Sequence, residues 1–383
     1  MKKIAVVNRY YPPSPASTGD LAHELVHQLQ DEMPGYEIFV VTTDAPYKGG
    51  WREELKITER VIISHVFYTG ENSILRFIAG FLEGRAMAKI AFREADAVIS
   101  MTNPPLVNYW MGKFARKTAK KYVEWTLDVF PVAFAKADYI SDKSPFYKYF
   151  LKKVGKYAPD FNLFLGEGQR EFVHRTFEYQ NEYAILPCGI KQTPTGPVPA
   201  WKSNLGDKTV LGYVGNLGEA HSPDHLIELV KAADPTKFQF VFCMYGAKVD
   251  AVRAELSGHK NISWVENIPD SDLTHMDVHI VSLLPEWTHI SVPSKAVSAI
   301  CMGKPILLLG DGDADNWRMF HDAGWQVDVR TMNADKIRAV LDEIRVDGAL
   351  KSKMDAALRI TSELQQLQGQ TIKDLAGYLR KNC

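Results

Sequence analysis

Cysteine is scarce in this chain. Cys188, Cys243, Cys301 and Cys383 are the four in 383 residues, and they lie far apart. That spacing excludes a disulfide framework and a paired-thiolate metal site, and it fits a reducing compartment, so the expected location is cytoplasmic. Long apolar runs are missing too. No uninterrupted stretch reaches the roughly 18 residues that crossing a bilayer requires. Neither sign of charge is in excess. Lys and Arg total 45 against 46 Asp and Glu, a net charge of −1, which argues against a general nucleic-acid binder. No short repeat occurs. The opening Met1-Lys2-Lys3-Ile4-Ala5-Val6-Val7 is too short for the apolar region of a signal peptide and reads as a first buried strand.

What is present is the composition of a soluble globular protein, 46% hydrophobic and 24% charged. A chain this long predicts two domains of roughly 190 residues each. Short apolar strands alternate with longer amphipathic stretches, the pattern of a parallel α/β architecture. In the first half, strands are expected at residues 4–7, 38–42, 61–67, 97–100, 122–125, 161–165 and 183–186. Between the first two, Leu21, Ala22, Leu25, Val26 and Leu29 share one helical face. The second half starts afresh with a strand at 209–214 and a helix opened by Ser222-Pro223-Asp224. Further strands are expected at 239–243, 262–265, 278–283, 306–309 and 326–329. The hinge falls at Pro187-Cys188-Gly189 and the proline-rich loop after it. This gives domains at 1–190 and 191–365, with a C-terminal helix at 366–383 that could pack back on the first.

In doubly wound sheets, ligands bind beyond the carboxyl ends of the strands. The strongest candidate there is Val292-Pro293-Ser294-Lys295, leading to Gly303-Lys304-Pro305. Ser294 is expected to cap a short helix with an exposed start, Gly303 to take the left-handed position after it, and Pro305 to block its continuation. The helix start suits a phosphate. Lys295 in the first turn opposes the helix dipole, so it makes most sense beside an anion; otherwise it is a solvated surface lysine. The loop at 215–221 offers Asn216 and Gly218 as a cradle for phosphate or sugar, with Glu219 and His221 beside them. Glu286 and His289 precede the Pro-Ser-Lys segment and could line the same pocket. In the first half, the loop after strand 4–7 is long for an ordinary connection, and it ends in Thr18, Gly19 and Asp20. Ser17 and Asp20 have capping-box spacing, and Gly19 permits a close approach. Asp128, at a strand end, could act as a base, orient a hydroxyl, or cap the next helix. Asp311-Gly312-Asp313-Ala314-Asp315 lacks the glycine and glutamate of a calcium loop and reads as a polar turn. No metal site is expected.

The window from Trp110 to Tyr157, including Lys113 through Lys156, carries eleven basic and four acidic residues, 11 − 4 = +7. Basic residues interleaved with aromatics suit either an anionic membrane surface or a solvated helix face over a buried aromatic stripe. No nucleic-acid recognition module accompanies them.

These loops, in this order, resemble the GT-B glycosyltransferases, specifically the family-4 type that builds bacterial surface polysaccharides. The matching pieces are Tyr11-Pro12-Pro13 with Thr18-Gly19, Leu127-Asp128-Val129-Phe130-Pro131, and Leu186-Pro187-Cys188-Gly189-Ile190. In the second half they are Tyr213-Val214-Gly215-Asn216-Leu217-Gly218 and the run from Val292 to Pro305. The resemblance implies two Rossmann-like, doubly wound domains facing across a cleft. The second would bind a nucleotide-sugar and the first its glycan or lipid-linked acceptor, with retention of anomeric configuration. It implies no cofactor and no divalent metal, because helix N-termini and basic side chains neutralise the diphosphate. Lys295 and Ser294 would hold that diphosphate, Asn216 and Gly218 would approach sugar or phosphate, and Asp128 would position the acceptor. The chain departs from the family where two glutamates commonly stand eight residues apart; Ile290 and Ser298 occupy those positions. Ser298 can still hydrogen-bond a donor hydroxyl, whereas Ile290 cannot. Two rival readings follow, a catalytically inactive homologue acting as a binding subunit and a nucleotide-sugar epimerase.

Overall fold

The computed structural model describes residues 1–47, 56–70, 72–203 and 205–383. Its strands are nearly continuous runs of Val, Ile, Leu and Phe, as expected where helices cover both faces of a parallel sheet. The first seven are β1 (Lys3–Val7), β2 (Glu37–Thr43), β3 (Val61–Ser64), β4 (Ala97–Ser100), β5 (Lys121–Thr126), β6 (Phe161–Phe164) and β7 (Glu182–Ile185). They form one sheet in the order β3-β2-β1-β4-β5-β6-β7, all parallel. The next six are β8 (Thr209–Asn216), β9 (Phe238–Tyr245), β10 (Ile262–Trp264), β11 (Val278–Ser282), β12 (Ile306–Gly310) and β13 (Gly324–Asp328). They repeat the same winding, β10-β9-β8-β11-β12-β13, also parallel.

The chain divides into two compact units. One comprises Met1–Leu186 with Leu367–Cys383, and the other Pro187–Gln366. The first boundary lies four residues before the expected 190/191. The C-terminal segment is the end of one continuous helix, Ala349–Asn382, rather than a separate one. Within the first unit its last turns seal the outer side of the sheet. Thr371 Oγ1 donates to the Ile185 carbonyl at 2.9 Å, and the Tyr378 ring lies 4.8 Å from that of Phe161.

Each sheet carries its own core. In the first unit Phe39, Val41, Val98 and Tyr122 pack against Met87, Ala88, Ala91 and Phe92 of the helix Ser73–Glu94. In the second, Tyr213, Phe240, Phe242 and Leu307 pack against Leu226, Leu229 and Val230 of the helix Pro223–Ala232. That helix begins as its sequence dictates, with Ser222 Oγ accepting from the His225 amide and Pro223 at the first position.

Three local expectations are corrected. β3 stops at Ser64 rather than residue 67, because it pairs only with β2, whose register ends at Thr43↔Ser64. Beyond it the Phe67 amide donates to buried Glu83 instead of to a strand. The helix Ser17–Glu32 starts at Ser17 itself, after Ala16, with no side-chain cap, so Ser17 and Asp20 form no capping box. Of its predicted apolar face, Ala22, Leu25, Val26 and Leu29 are buried and Leu21 is half-buried. The third concerns β8, which continues to pair with β9 through Gly215↔Met244 and Asn216↔Tyr245, so Gly215 and Asn216 end the strand rather than begin a loop.

Close packing makes opposite predictions for two helical glycines. A Cβ on Gly112 would lie 1.9 Å from the Tyr157 carbonyl oxygen, whereas one on Gly377 meets nothing within 4 Å. Gly112→Ala is expected to cost about 1–3 kcal/mol through overpacking. Gly377→Ala, on an exposed turn of the long helix, is expected to gain up to about 1 kcal/mol. Thermal melts of the two variants should move in opposite directions.

Candidate functional site

In the second unit the strand order reverses between β8 and β11, and ligands in such sheets usually bind in the crevice beyond the ends of the two strands that flank this point. The loop after β11, through the turn Pro285–Trp287, leads into the helix Ser294–Cys301. Pro293 takes the cap position there and Ser294 is the first helical residue, so no side chain caps the start, contrary to expectation. Pro293 is instead held from behind, where buried Asn316 Nδ2 donates to its carbonyl at 3.2 Å. Nor is the start exposed: Val292 and Pro293 are buried and Ser294 is half-buried. Gly303 adopts the expected left-handed conformation, φ +69°.

Lys295 is not a solvated surface lysine. Its side chain folds inward, and Nζ stands 3.8 Å from the centroid of the Tyr213 ring, shielded from solvent and with no hydrogen-bond acceptor among the described residues. Burial pulls its pKa down to about 7. Gly215, at φ +114°, leaves the space beside this ammonium open; a Cβ there would sit 3.9 Å from Nζ.

The other residues of this crevice are held by backbone. His221 Nδ1 pairs with the Ser282 carbonyl at 2.5 Å. Burial first, and the nearby Lys295 charge second, hold His221 neutral with a pKa of about 3. Its neighbour Ala220 accepts from the Leu284 amide at 2.9 Å, which fastens the β8 loop to the β11 loop. Lys248, from the loop after β9, donates to the carbonyls of Glu219 and His221 at 3.1 and 3.0 Å and pairs with the Glu219 carboxylate at 3.5 Å. Asn216 lies over Gly246, whose φ of +115° and lack of a side chain admit it; a Cβ there would meet Asn216 Oδ1 at 2.4 Å. Gly218 is similarly close, with its hypothetical Cβ 2.9 Å from Asn216 Nδ2.

Asn216, Gly218, Glu219, His221 and Lys295 are therefore brought together at the ends of β8 and β9. Tyr213, Gly246 and Lys248 belong with them and were not singled out by the sequence. Other candidates are placed differently. Ser298 Oγ donates to the Gly189 carbonyl at 3.2 Å, tying the helix to the segment that opens this unit. Ile290 is 1% exposed and belongs to the core. Glu286 is exposed, and His289 is half-buried within electrostatic reach of Asp313. The Asp311 turn is held by Arg330 and by an Arg318–Asp313 pair at 3.0 Å, as a polar turn should be.

In the first unit the reversal lies between β1 and β4. Gly19 packs there as its residue type requires, since a Cβ would come within 3.3 Å of the Tyr11 backbone. Thr18 Oγ1 is buried with no hydrogen-bond partner among the described residues, and so is Asn8 Oδ1. Asp20 is exposed. Asp128 is half-buried beyond β5, its amide donating to Thr102 Oγ1 at 3.1 Å. It does not cap the following helix, Val132–Lys136, which starts at Pro131 without a side-chain cap.

The lysine's environment has a thermodynamic consequence. Its folded pKa of about 7 lies below the ordinary 10.5, so between these values the folded chain binds fewer protons than the unfolded one. Stability therefore rises with pH across that window, and the full cost of burial is felt below it. Lys295→Met should stabilise the ligand-free protein by on the order of a few kcal/mol near neutral pH, raising its melting temperature, and the gain should fade towards about pH 10. Melts of both proteins across that range check this.

No family model matches the chain. Over 351 residues it is 22% identical to the "probable glycosyltransferase WbjE" of Pseudomonas aeruginosa, covering 85% of this chain and 84% of that one. Among solved structures, a sucrose-phosphate synthase from Thermosynechococcus elongatus superposes with a TM-score of 0.72 at 13% identity, covering 100% of this chain and 98% of the other. An E. coli trehalose-6-phosphate protein bound with UDP-2-fluoro glucose gives 0.68 at 13% identity, covering 98% and 99%. The two parallel sheets share the GT-B fold of these neighbours, and in sequence the chain is similar to a probable glycosyltransferase.

Proposed function

We propose that the chain transfers a sugar from a nucleotide-diphosphate donor to a hydroxyl of a glycan or lipid-linked glycan, in the synthesis of a surface polysaccharide. The observation that carries this reading is Lys295, a cation desolvated at a helix start with no acceptor among the described residues. A diphosphate supplies what it lacks. The helix N–H groups and the ammonium would face the same anion, and they would gain strength as the nucleoside diphosphate departs and negative charge develops. Neutral His221 adds no competing charge. Asn216 and Gly218 would approach the sugar or phosphate, with Glu219, Glu286 and His289 along the crevice and Ser298 within the same helix. Asp128 would position the acceptor, with Thr18, Gly19 and Asp20 in the acceptor loop. Retention of configuration and a metal-free diphosphate site extend the family resemblance. The neighbour bound with UDP-2-fluoro glucose supports a donor of that class, and WbjE supports a transferase.

The basic window supports a peripheral contact with an anionic membrane at its inner face. Among the described residues no helix is long and apolar enough to cross one. Phe146 and Tyr149 of the helix Pro145–Lys156 are exposed, at 39% and 48%, among the exposed Lys148 and Lys152. Ile74, Leu75 and Ile78 continue this apolar surface on the helix Ser73–Glu94, where Phe77 lies 5.8 Å from Phe146. Lys113 and Lys120 are engaged otherwise, Lys113 over the Trp110 ring and Lys120 on the carbonyls of Phe92 and Ala95.

A thermal-shift screen of uridine, guanosine and thymidine diphosphate sugars is the first test. A specific donor at a hundred times its dissociation constant should add about 2.7 kcal/mol. Lys295→Ala should weaken that binding by at least about 100-fold, the loss expected for removing a charge-assisted contact of ~3 kcal/mol. Wild-type affinity should fall as pH rises above 7, because the neutral Lys295 amine must then take up a proton to bind as the ammonium. Stabilisation by none of these donors would sink the proposal. Binding without transfer to any acceptor would favour the inactive subunit that Ile290 and Ser298 suggest, and conversion without an acceptor would favour the epimerase. For the membrane contact, the double variant Lys148→Glu, Lys152→Glu should lose co-sedimentation with phosphatidylserine-containing vesicles.

A further inference from the structure

The helix Ser17–Glu32 carries His23 and His27 four residues apart, hence on one face and one turn from each other. Their Nε2 atoms stand 3.1 Å apart, and His27 Nε2 is 3.6 Å from Glu59 Oε2, supplied by the segment just ahead of β3. One donor atom from each of the three lies within 4.8 Å of the others. We propose that His23, His27 and Glu59 form a zinc site in the first unit.

The distances decide in favour of this metal. With Zn–N bonds of 2.0–2.1 Å in a tetrahedron, two ligand nitrogens are separated by about 3.3 Å, close to what the histidines show before any adjustment. Two imidazoles and one carboxylate suit zinc, whereas calcium and magnesium prefer all-oxygen shells. Glu59 is prepared as a ligand. It is 9% exposed, and its Oε1 accepts from the Tyr11 hydroxyl, which turns Oε2 towards the histidines. Oε2 also accepts from the Thr58 amide at 3.0 Å, so both oxygens are oriented by second partners, as ligating carboxylates usually are. His27 is 39% exposed on its side chain, which leaves the fourth position to water. The ion would clamp the segment ahead of β3 onto the helix that starts at Ser17, stiffening the loop end of this unit. The alternative is that the two rings merely share a hydrogen bond, one donating Nε2–H to the other.

The test uses the full-length protein, stripped with a chelator and titrated with zinc chloride against a competing zinc indicator; metal content after gel filtration gives the stoichiometry. One zinc per chain is expected, with a raised melting temperature. His23→Ala and His27→Ala should each abolish that equivalent, and Tyr11→Phe should weaken it by about 10- to 100-fold. His321→Ala, a histidine with a 57% exposed side chain elsewhere, should leave it intact. Wild-type protein that retains no zinc would overturn the proposal without any variant being needed. Zinc held equally by correctly folded His23→Ala and His27→Ala, as judged by circular dichroism, would assign the ion to other groups and overturn it as well.

Discussion

A desolvated ammonium on an aromatic ring is the constraint around which the second unit is arranged. Taking a lysine head group out of water costs several kcal/mol unless an anion or acceptors replace the lost hydration. The Tyr213 face beneath Lys295 returns only about 0.5–2 kcal/mol of that. The neighbourhood makes matters worse for a cation, because the start of the helix Ser294–Cys301 points a partial positive charge the same way. Three further features add no charge beside this ammonium. Gly215 is left-handed and bare beside Nζ. His221 is buried in a state that cannot add charge. Lys248, the next cation, is turned away onto backbone carbonyls. The fold thus holds unspent electrostatic attraction at one place, and stability is lower for it.

How much of this could be read along the chain depends on whether the cause is local. The strands were legible because burial on both faces leaves apolar runs such as Ile306-Leu307-Leu308-Leu309, and the helix faces because their period is local too. Lys295 could be singled out because a cation in a first helical turn is a local anomaly. Its partner could not. Tyr213 is 82 positions away in sequence (295 − 213) and reaches the lysine only because β8 and β11 are neighbours in the sheet. Lys248 and Gly246 were missed for the same reason, since they act on residues 216–221 through the β8–β9 pairing. The caps at Ser294 and Ser17 were misplaced by one residue because a serine's propensity does not reveal whether the preceding residue, Pro293 or Ala16, already has the cap's extended backbone.

The two sheets follow the same winding, and their loop ends differ in chemistry. After β1 the cation is already neutralised: Arg9 pairs with fully buried Glu83 at 2.9 Å. Among the described residues, the buried atoms left there without a hydrogen-bond partner include two uncharged ones, the amide oxygen of Asn8 and the hydroxyl of Thr18. Groups of that kind gain from a partner that can both donate and accept, as sugar hydroxyls do, and they bring no charge to a diphosphate. After β8 the balance is reversed, with the Lys295 cation unpaired among the described residues and the titratable ring beside it held neutral. A single topology therefore carries two loop clusters of different charge, and what separates them is whether a carboxylate such as Glu83 is placed within reach of the buried base. Placing one beside Lys295 would stabilise the second unit and, by the same contact, leave no charge for a phosphate.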